Sequence, residues 1–138
     1  MGGSVTTFAF DAGKGALRKL QTVSTLPKEF KGLNESAEIV ADAKGKFLYA
    51  SNRGPDDIAV FAVDSKTGSL QLLQNVPTKG KAPRNFAIDP TGKYLFAANQ
   101  ESNNIVVFRI DSKTGRLTDT GQVLSVPAPV SLVFMSAN

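Results

Sequence analysis

Asp42-Ala43-Lys44-Gly45-Lys46-Phe47-Leu48-Tyr49-Ala50-Ser51-Asn52 returns 47 residues later as Asp89-Pro90-Thr91-Gly92-Lys93-Tyr94-Leu95-Phe96-Ala97-Ala98-Asn99, without a gap. The same offset carries Ile58 onto Ile105, Phe61 onto Phe108 and Leu70 onto Leu117. The pentapeptide Asp-Ser-Lys-Thr-Gly is identical at 64–68 and 111–115. Self-similarity at a fixed period of 20–50 residues marks a repeat architecture. Apolar residues within each copy alternate with period two around Ile58-Ala59-Val60-Phe61-Ala62-Val63 and Ile105-Val106-Val107-Phe108-Arg109-Ile110, which is strand patterning. Asp-Pro-Thr-Gly-Lys at 89–93 is a tight turn, with proline presetting φ and glycine accepting positive φ. Each repeat therefore reads as four short antiparallel strands, a to d. Four strands in about 47 residues is the length of a β-propeller blade.

Two further copies are incomplete. Phe8-Ala9-Phe10-Asp11 with Gly15-Ala16-Leu17 matches Phe61-Ala62-Val63-Asp64 with Gly68-Ser69-Leu70, the second half of a blade. Pro129-Val130-Ser131-Leu132-Val133-Phe134 matches Pro83-Arg84-Asn85-Phe86-Ala87-Ile88, the first strand alone. The expected fold is all-β, a β-propeller fragment of two complete four-stranded antiparallel blades plus parts of two flanking blades. Residues 1–4 read as an appended leader and 5–35 as a half blade holding strands c and d. Complete blades follow at 36–82 and 83–128, then the first strand of another at 129–138. Eleven strands and no long helix are predicted.

Composition narrows the function. The 138 residues are 41% hydrophobic and 20% charged, an ordinary folded composition. No apolar run approaches the roughly 20 residues of a membrane-spanning helix, so no membrane partner is expected. Cysteine and histidine are both absent, which removes disulfides, thiolate metal sites and the commonest general base. No metal or cofactor is expected. The formal charge of +4 suits anionic small molecules. The lysines are scattered through turns rather than clustered, so no nucleic-acid partner is expected. A cytoplasmic location is the working expectation.

The a–b and c–d turns of a propeller share one face, and the b–c loops and d–a connections share the other. The tidy turns at 42–46, 64–68, 89–93 and 111–115 fall on the first. The repeat breaks on the second, at 34–38, 52–57, 81–85 and 99–104, where Glu38 aligns with Asn85 and Arg53 with Gln100. A face that varies over a fixed scaffold is the expected binding surface. Asn52 and Asn99 occupy equivalent positions and read as structural amides bonded to loop backbone. Phe47, Tyr49, Phe61, Tyr94, Phe96 and Phe108 read as aromatics packed between blades.

Phe47-Leu48-Tyr49-Ala50-Ser51-Asn52-Arg53-Gly54 resembles the "fLYaSNRG" motif of the seven-bladed lactonase family. That family includes the propeller-type 6-phosphogluconolactonases and the fungal carboxymuconate cyclase. Pro83-Arg84-Asn85-Phe86, Asp89 to Leu95 and Ala98-Asn99-Gln100 are similar to its last blades in order and spacing. The resemblance implies opening or closing a lactone ring on an anionic sugar acid. It implies a catalytic role for Arg53, whose planar guanidinium suits a carboxylate, a phosphate or a developing oxyanion. Glu38, Arg84 and Gln100 are the candidate substrate-binding residues, each with a bland alternative. Arg53 as a loop arginine would lie over the rim or pair with Asp56 or Asp57, Glu38 would pair with Arg53 or be a solvated acid, and Arg84 would sit in a structural salt bridge. Pro55 departs from the family, where histidine is common, and the remaining site residues belong to earlier blades. The fragment alone is expected to be inactive. The competing functions are a non-enzymatic propeller module binding protein or glycan, and an excised or engineered piece for blade assembly. Incomplete end blades also predict a homodimer, formed by exchange of the last strand.

Overall fold

The computed structural model describes residues 2–135. It is all-β: ten strands in one two-stranded and two four-stranded sheets, with no helix among the described residues. The half blade pairs β1 (Ser4–Asp11) with β2 (Ala16–Ser24). The middle blade runs in order β3 (Glu35–Ala41), β4 (Phe47–Arg53), β5 (Asp57–Val63) and β6 (Leu70–Pro77). The third blade runs β7 (Pro83–Ile88), β8 (Tyr94–Asn99), β9 (Asn104–Ile110) and β10 (Leu117–Ser125). All pairings are antiparallel between chain neighbours. Ser4, placed in the leader by the sequence reading, already pairs with Ser24, and the Gly3 carbonyl accepts from Thr25 N at 2.8 Å.

The turns follow from their aspartates. Asp42 Oδ1 accepts from the Lys46 and Phe47 amides at 2.6 and 2.8 Å, and Asp89 Oδ1 repeats this with Lys93 and Tyr94. Asp64 and Asp111 each accept two amides of the c–d turn, which hold their carboxyls below the usual range, Thr67 and Thr114 contributing most. Gly115, at φ +71°, closes its turn and leaves room for the Phe47 ring, which a Cβ there would strike.

The blades stack through apolar faces. One core joins Phe47, Tyr49, Ile58 and Val60 of the middle blade to Phe86, Leu95, Ala97, Val106, Phe108 and Leu117 of the third. The other joins Val5 to Ala50, Ala59, Phe61 and Leu70. Polar clamps accompany them. The Gln21 side-chain amide takes both backbone groups of Leu70, and Gln74 takes both of Leu117. Tyr49 donates its hydroxyl to the Gly115 carbonyl at 2.9 Å. Asn52 and Asn99 lie fully buried and donate to the Thr25 and Thr78 carbonyls, which ties each b strand to the end of the preceding blade.

Two expectations are corrected. Among the described residues the eleventh strand does not form: 129–135 make no ladder, although they lie against the inner strand β7, and 136–138 lie outside the described residues. Leu132 N donates to Asn85 Oδ1 at 2.9 Å, and Phe134 meets Phe96 edge-on at 5.2 Å between centroids. A strand needs a ladder partner, and no b strand stands beside this segment. Tyr94 and Phe96 are only half-buried. They point away from the middle blade, toward a face that only this tail covers.

Candidate functional site

Both inner strands carry a β-bulge near their loop end. In β3 the ladder shifts between Ser36 and Ile39, and in β7 between Pro83 and Asn85. Bulges re-aim side chains and are frequent beside binding sites. Arg84 is the unpaired extra residue of the second bulge, and its side chain is exposed with no ion-pair partner among the described residues. Pro83, with no amide hydrogen, starts that strand where no ladder donor is needed.

Glu38 lies in the first bulge and is half-buried. Its amide donates to Ser51 Oγ at 3.0 Å, Oε1 accepts from Ile39 N at 3.0 Å and Oε2 accepts from Asn85 Nδ2 at 2.5 Å. Glu38 and Asn85 are copies of one repeat position, 47 residues apart, and hydrogen bonds join them and Leu132 into a row along the inner strands. They line a groove of about 820 Å³ with Val40, Phe86 and Phe134. The groove runs down to the a–b turns at Asp42 and Asp89. Of the four expected site residues only Glu38 lines it.

Arg53 ends β4 on the loop face. Its Nη2 pairs with Glu35 Oε2 at 3.2 Å, with the arginine side chain about one quarter exposed. This corrects the alternative in which Asp56 or Asp57 held it. Asp56 instead accepts from Ala82 N, and Asp57 accepts from Asn52 and Asn75. Arg53 Nε is buried and without a hydrogen-bond acceptor. Gly54 follows because a Cβ there would collide with the Leu33 carbonyl, so the loop packs tightly against the segment that leads into β3. Gln100 is half-buried just after β8, and its backbone N–H donates to the Ala82 carbonyl at 3.0 Å.

The loop ends of β3, β4, β7 and β8 thus share one side of two packed blades, since β7 packs against both β3 and β4. The structure joins Arg53 to Glu35 and Glu38 to Asn85, the neighbour of Arg84. No direct bond links Arg53, Arg84 and Gln100 to one another. Glu35 and Asn85 were missed as partners by sequence reasoning. Glu35 stands directly opposite Arg53 in the β3–β4 register. Counting back from the 42–46 turn without a bulge puts Ser36 there instead.

Asp57 was also missed as a notable residue. It is 3% exposed, with no cation near, and burial pushes its carboxyl up to about 6 against the two amide hydrogen bonds that favour the ionised form. Its repeat equivalent is the neutral Asn104, which accepts from Asn99 at 3.1 Å. No group of three or more histidine, cysteine, aspartate or glutamate side chains is placed to hold a metal ion among the described residues.

Antiparallel blades stacked face to face, two of them four-stranded, with bulged inner strands, define part of a β-propeller. The sequence model described as "Lactonase, 7-bladed beta-propeller" matches residues 1–134, and the chain belongs to that family. It is 38% identical over 131 residues to a 6-phosphogluconolactonase of Bacillus subtilis, covering 95% of this chain and 38% of that protein. Its fold superposes on a periplasmic gluconolactonase of Pseudomonas aeruginosa with a TM-score of 0.91 at 36% identity, covering 97% of this chain and 37% of that one. A protein from Lactobacillus plantarum aligns at TM-score 0.89 and 35% identity, covering 93% and 37%. The chain therefore spans a little over one third of these relatives.

Proposed function

We propose that these blades form one wall of a lactone-hydrolysing site in a full propeller, with an anionic sugar-acid lactone such as 6-phosphogluconolactone as substrate. The observation that carries this reading is Arg53, half-buried in the Ser51-Asn52-Arg53-Gly54 motif and held by a single acid, Glu35. Hydrolysis adds water to the ring carbonyl, passes through a tetrahedral oxyanion and breaks the ring C–O bond to leave a carboxylate and a hydroxyl. The Arg53 side chain is about one quarter exposed and carries N–H groups beyond the one paired with Glu35, and one aimed at the oxyanion stabilises charge that appears only in the transition state. Arg84, exposed and unpaired, serves as clamp for the substrate's second anionic group. Glu38 accepts from sugar hydroxyls at the groove mouth, and Gln100 reaches a hydroxyl from the next blade. The group that activates water comes from the rest of the ring, since this chain has no histidine.

The test is a chimaera in which these residues replace the matching 38% of the Bacillus subtilis relative. We expect it to hydrolyse 6-phosphogluconolactone, and Arg53→Ala to lower turnover by roughly 10²-fold, the scale of one lost oxyanion donor. An unchanged rate in a folded Arg53→Ala chimaera would remove the assignment. The isolated 138-residue chain should show no turnover.

A further inference from the structure

The loop that carries Arg53 and the strand that carries Arg84 are joined through Asp56. This residue follows Arg53 in the same loop, half-buried, with its backbone in the left-handed region at φ +54°. Its Oδ1 accepts from the Ala82 amide at 2.9 Å. Its carbonyl accepts from the amide and the hydroxyl of the buried Thr78, at 2.9 and 3.0 Å. One residue thus holds both ends of the connection between β6 and β7.

Ala82 is itself left-handed, at φ +55°. Aspartate and asparagine enter that region readily, whereas alanine seldom does, and the proline that follows restricts it further. Such a conformation persists only where its surroundings over-determine it, which happens most often at ligand sites. The surroundings here are Asp56 on the Ala82 amide and the Gln100 N–H on its carbonyl. Pro83 is buried and its ring fixes φ, so the direction set at Ala82 passes rigidly to Arg84. Arg84 has no ion-pair partner among the described residues, so the backbone alone decides where its guanidinium stands.

The next repeat builds the same latch from a different side chain. Asn103, at φ +55°, accepts from the Ala128 amide through Oδ1 at 2.9 Å and from the Val126 amide through its carbonyl at 3.0 Å. Ala128 is left-handed at φ +41° and precedes the buried Pro129. The two copies share the Oδ1 acceptor and the left-handed backbone but not the charge, so the acceptor is what the latch requires. They differ in what they deliver: Arg84 after Pro83, and Val130 after Pro129.

We propose that Asp56 is the positioning residue of the anion clamp, setting through Ala82 and Pro83 where Arg84 stands relative to Arg53. The inference rests on the reading of Arg84 as a substrate clamp. Asp56 touches no substrate and acts through the backbone. Without its Oδ1, Ala82 relaxes toward the extended conformation usual before proline, and the chain enters the β7 bulge along a different path. Arg84 then leaves the clamp, while Arg53 keeps its bond to Glu35. Binding of the substrate's second anionic group weakens, and the chemical step does not.

The chimaera with the Bacillus subtilis relative, assayed on 6-phosphogluconolactone, tests this. Arg84→Ala should raise KM roughly 10-fold or more, the scale of a lost charge-assisted hydrogen bond, with kcat within about twofold. Asp56→Gly removes the carboxylate while leaving the left-handed backbone free, and should raise KM about 10-fold with kcat again within about twofold. Combined with Arg84→Ala it should add nothing to Arg84→Ala alone, because both act on one contact. Asp56→Asn keeps the acceptor, as Asn103 does, and should restore KM. Ala82→Gly, which enters the left-handed region without cost, should recover most of the KM lost in Asp56→Gly. Circular dichroism checks folding, and Asp56→Ala gives the same cycle should Asp56→Gly not fold. A normal KM in Arg84→Ala would overturn the clamp and this inference with it. A raised KM in Arg84→Ala, with Asp56→Gly silent or fully additive to it, would overturn this inference alone, as would Asp56→Asn as damaging as Asp56→Gly.

Discussion

Phe61 and Phe8 occupy the same position of the same repeat, yet one is fully buried and the other half-exposed. Leu70 and Leu17 differ in the same way, at 7% and 65%. Neither residue type nor strand geometry separates them, since both sit in antiparallel c–d pairs closed by a positive-φ glycine. What differs is the neighbour: the middle blade has one on each side, and the half blade only on one. Burial in this fold is decided by stacking, as in quasi-one-dimensional repeat proteins, where stability sums over nearest-neighbour interfaces.

The largest effect should separate those two phenylalanines. Phe61→Ala removes a fully packed ring and should destabilise the chain by about 3–5 kcal/mol in urea unfolding. Phe8→Ala, in dilute solution, should lose less than about 1 kcal/mol, because that ring is still half in water. Equal losses would mean the two positions are not equivalent after all.

A smaller effect is expected where the blades differ in charge, at Asp57 and Asn104. Burial raises the Asp57 carboxyl to about 6, from the ordinary 3.8 of an aspartate in the unfolded chain. The folded state therefore holds more proton than the unfolded state between those values, and this group's contribution falls as pH rises through the window. Above about pH 6 the whole penalty is present; a shift of about two units corresponds to roughly 3 kcal/mol. Asp57→Asn copies the third blade and removes that slope. It also sets an amide donor against Asn52 or Asn75, so the net gain at pH 7 should be about 1–2 kcal/mol. Chemical denaturation of both proteins at pH 4 and pH 7 checks this, the difference between them cancelling the turn aspartates. A gain equal at both pH values would contradict the assignment.

Smaller still is the amide clamp. Gln74→Ala leaves both backbone groups of the buried Leu117 without their partner and should cost about 1–2 kcal/mol. Gln71→Ala, exposed on the same strand, should be nearly silent. The third blade has Gly121 at the Gln74 position, so it carries no such clamp.

The antiparallel strands and their turns were legible because the 47-residue offset repeats every strand and turn signal, and so was the burial of Phe47, Tyr49, Phe61 and Phe108, though not the half-exposure of Tyr94 and Phe96. Three further features were not. The tail's missing ladder depends on a b strand that no local pattern in residues 129–134 reports. Arg53's partner depends on the β3 bulge, which shifts the register by one and exchanges Ser36 for Glu35. Asp57 looked like a loop acid beside Asp56, and only the packing of Asn52, Asn75 and Thr25 around it makes it a buried one. The candidate site residues were named from the motif and the loop ends, whereas their hydrogen-bond partners required the bulges.

Hydrogen exchange followed strand by strand at about 1 µM tests most directly the claim that a neighbour decides the state of each blade. Amides of β5 and β9 should be the slowest, whereas β1, β2 and β10 should exchange faster. Protection in β1 and β2 equal to that of β5 would contradict the account.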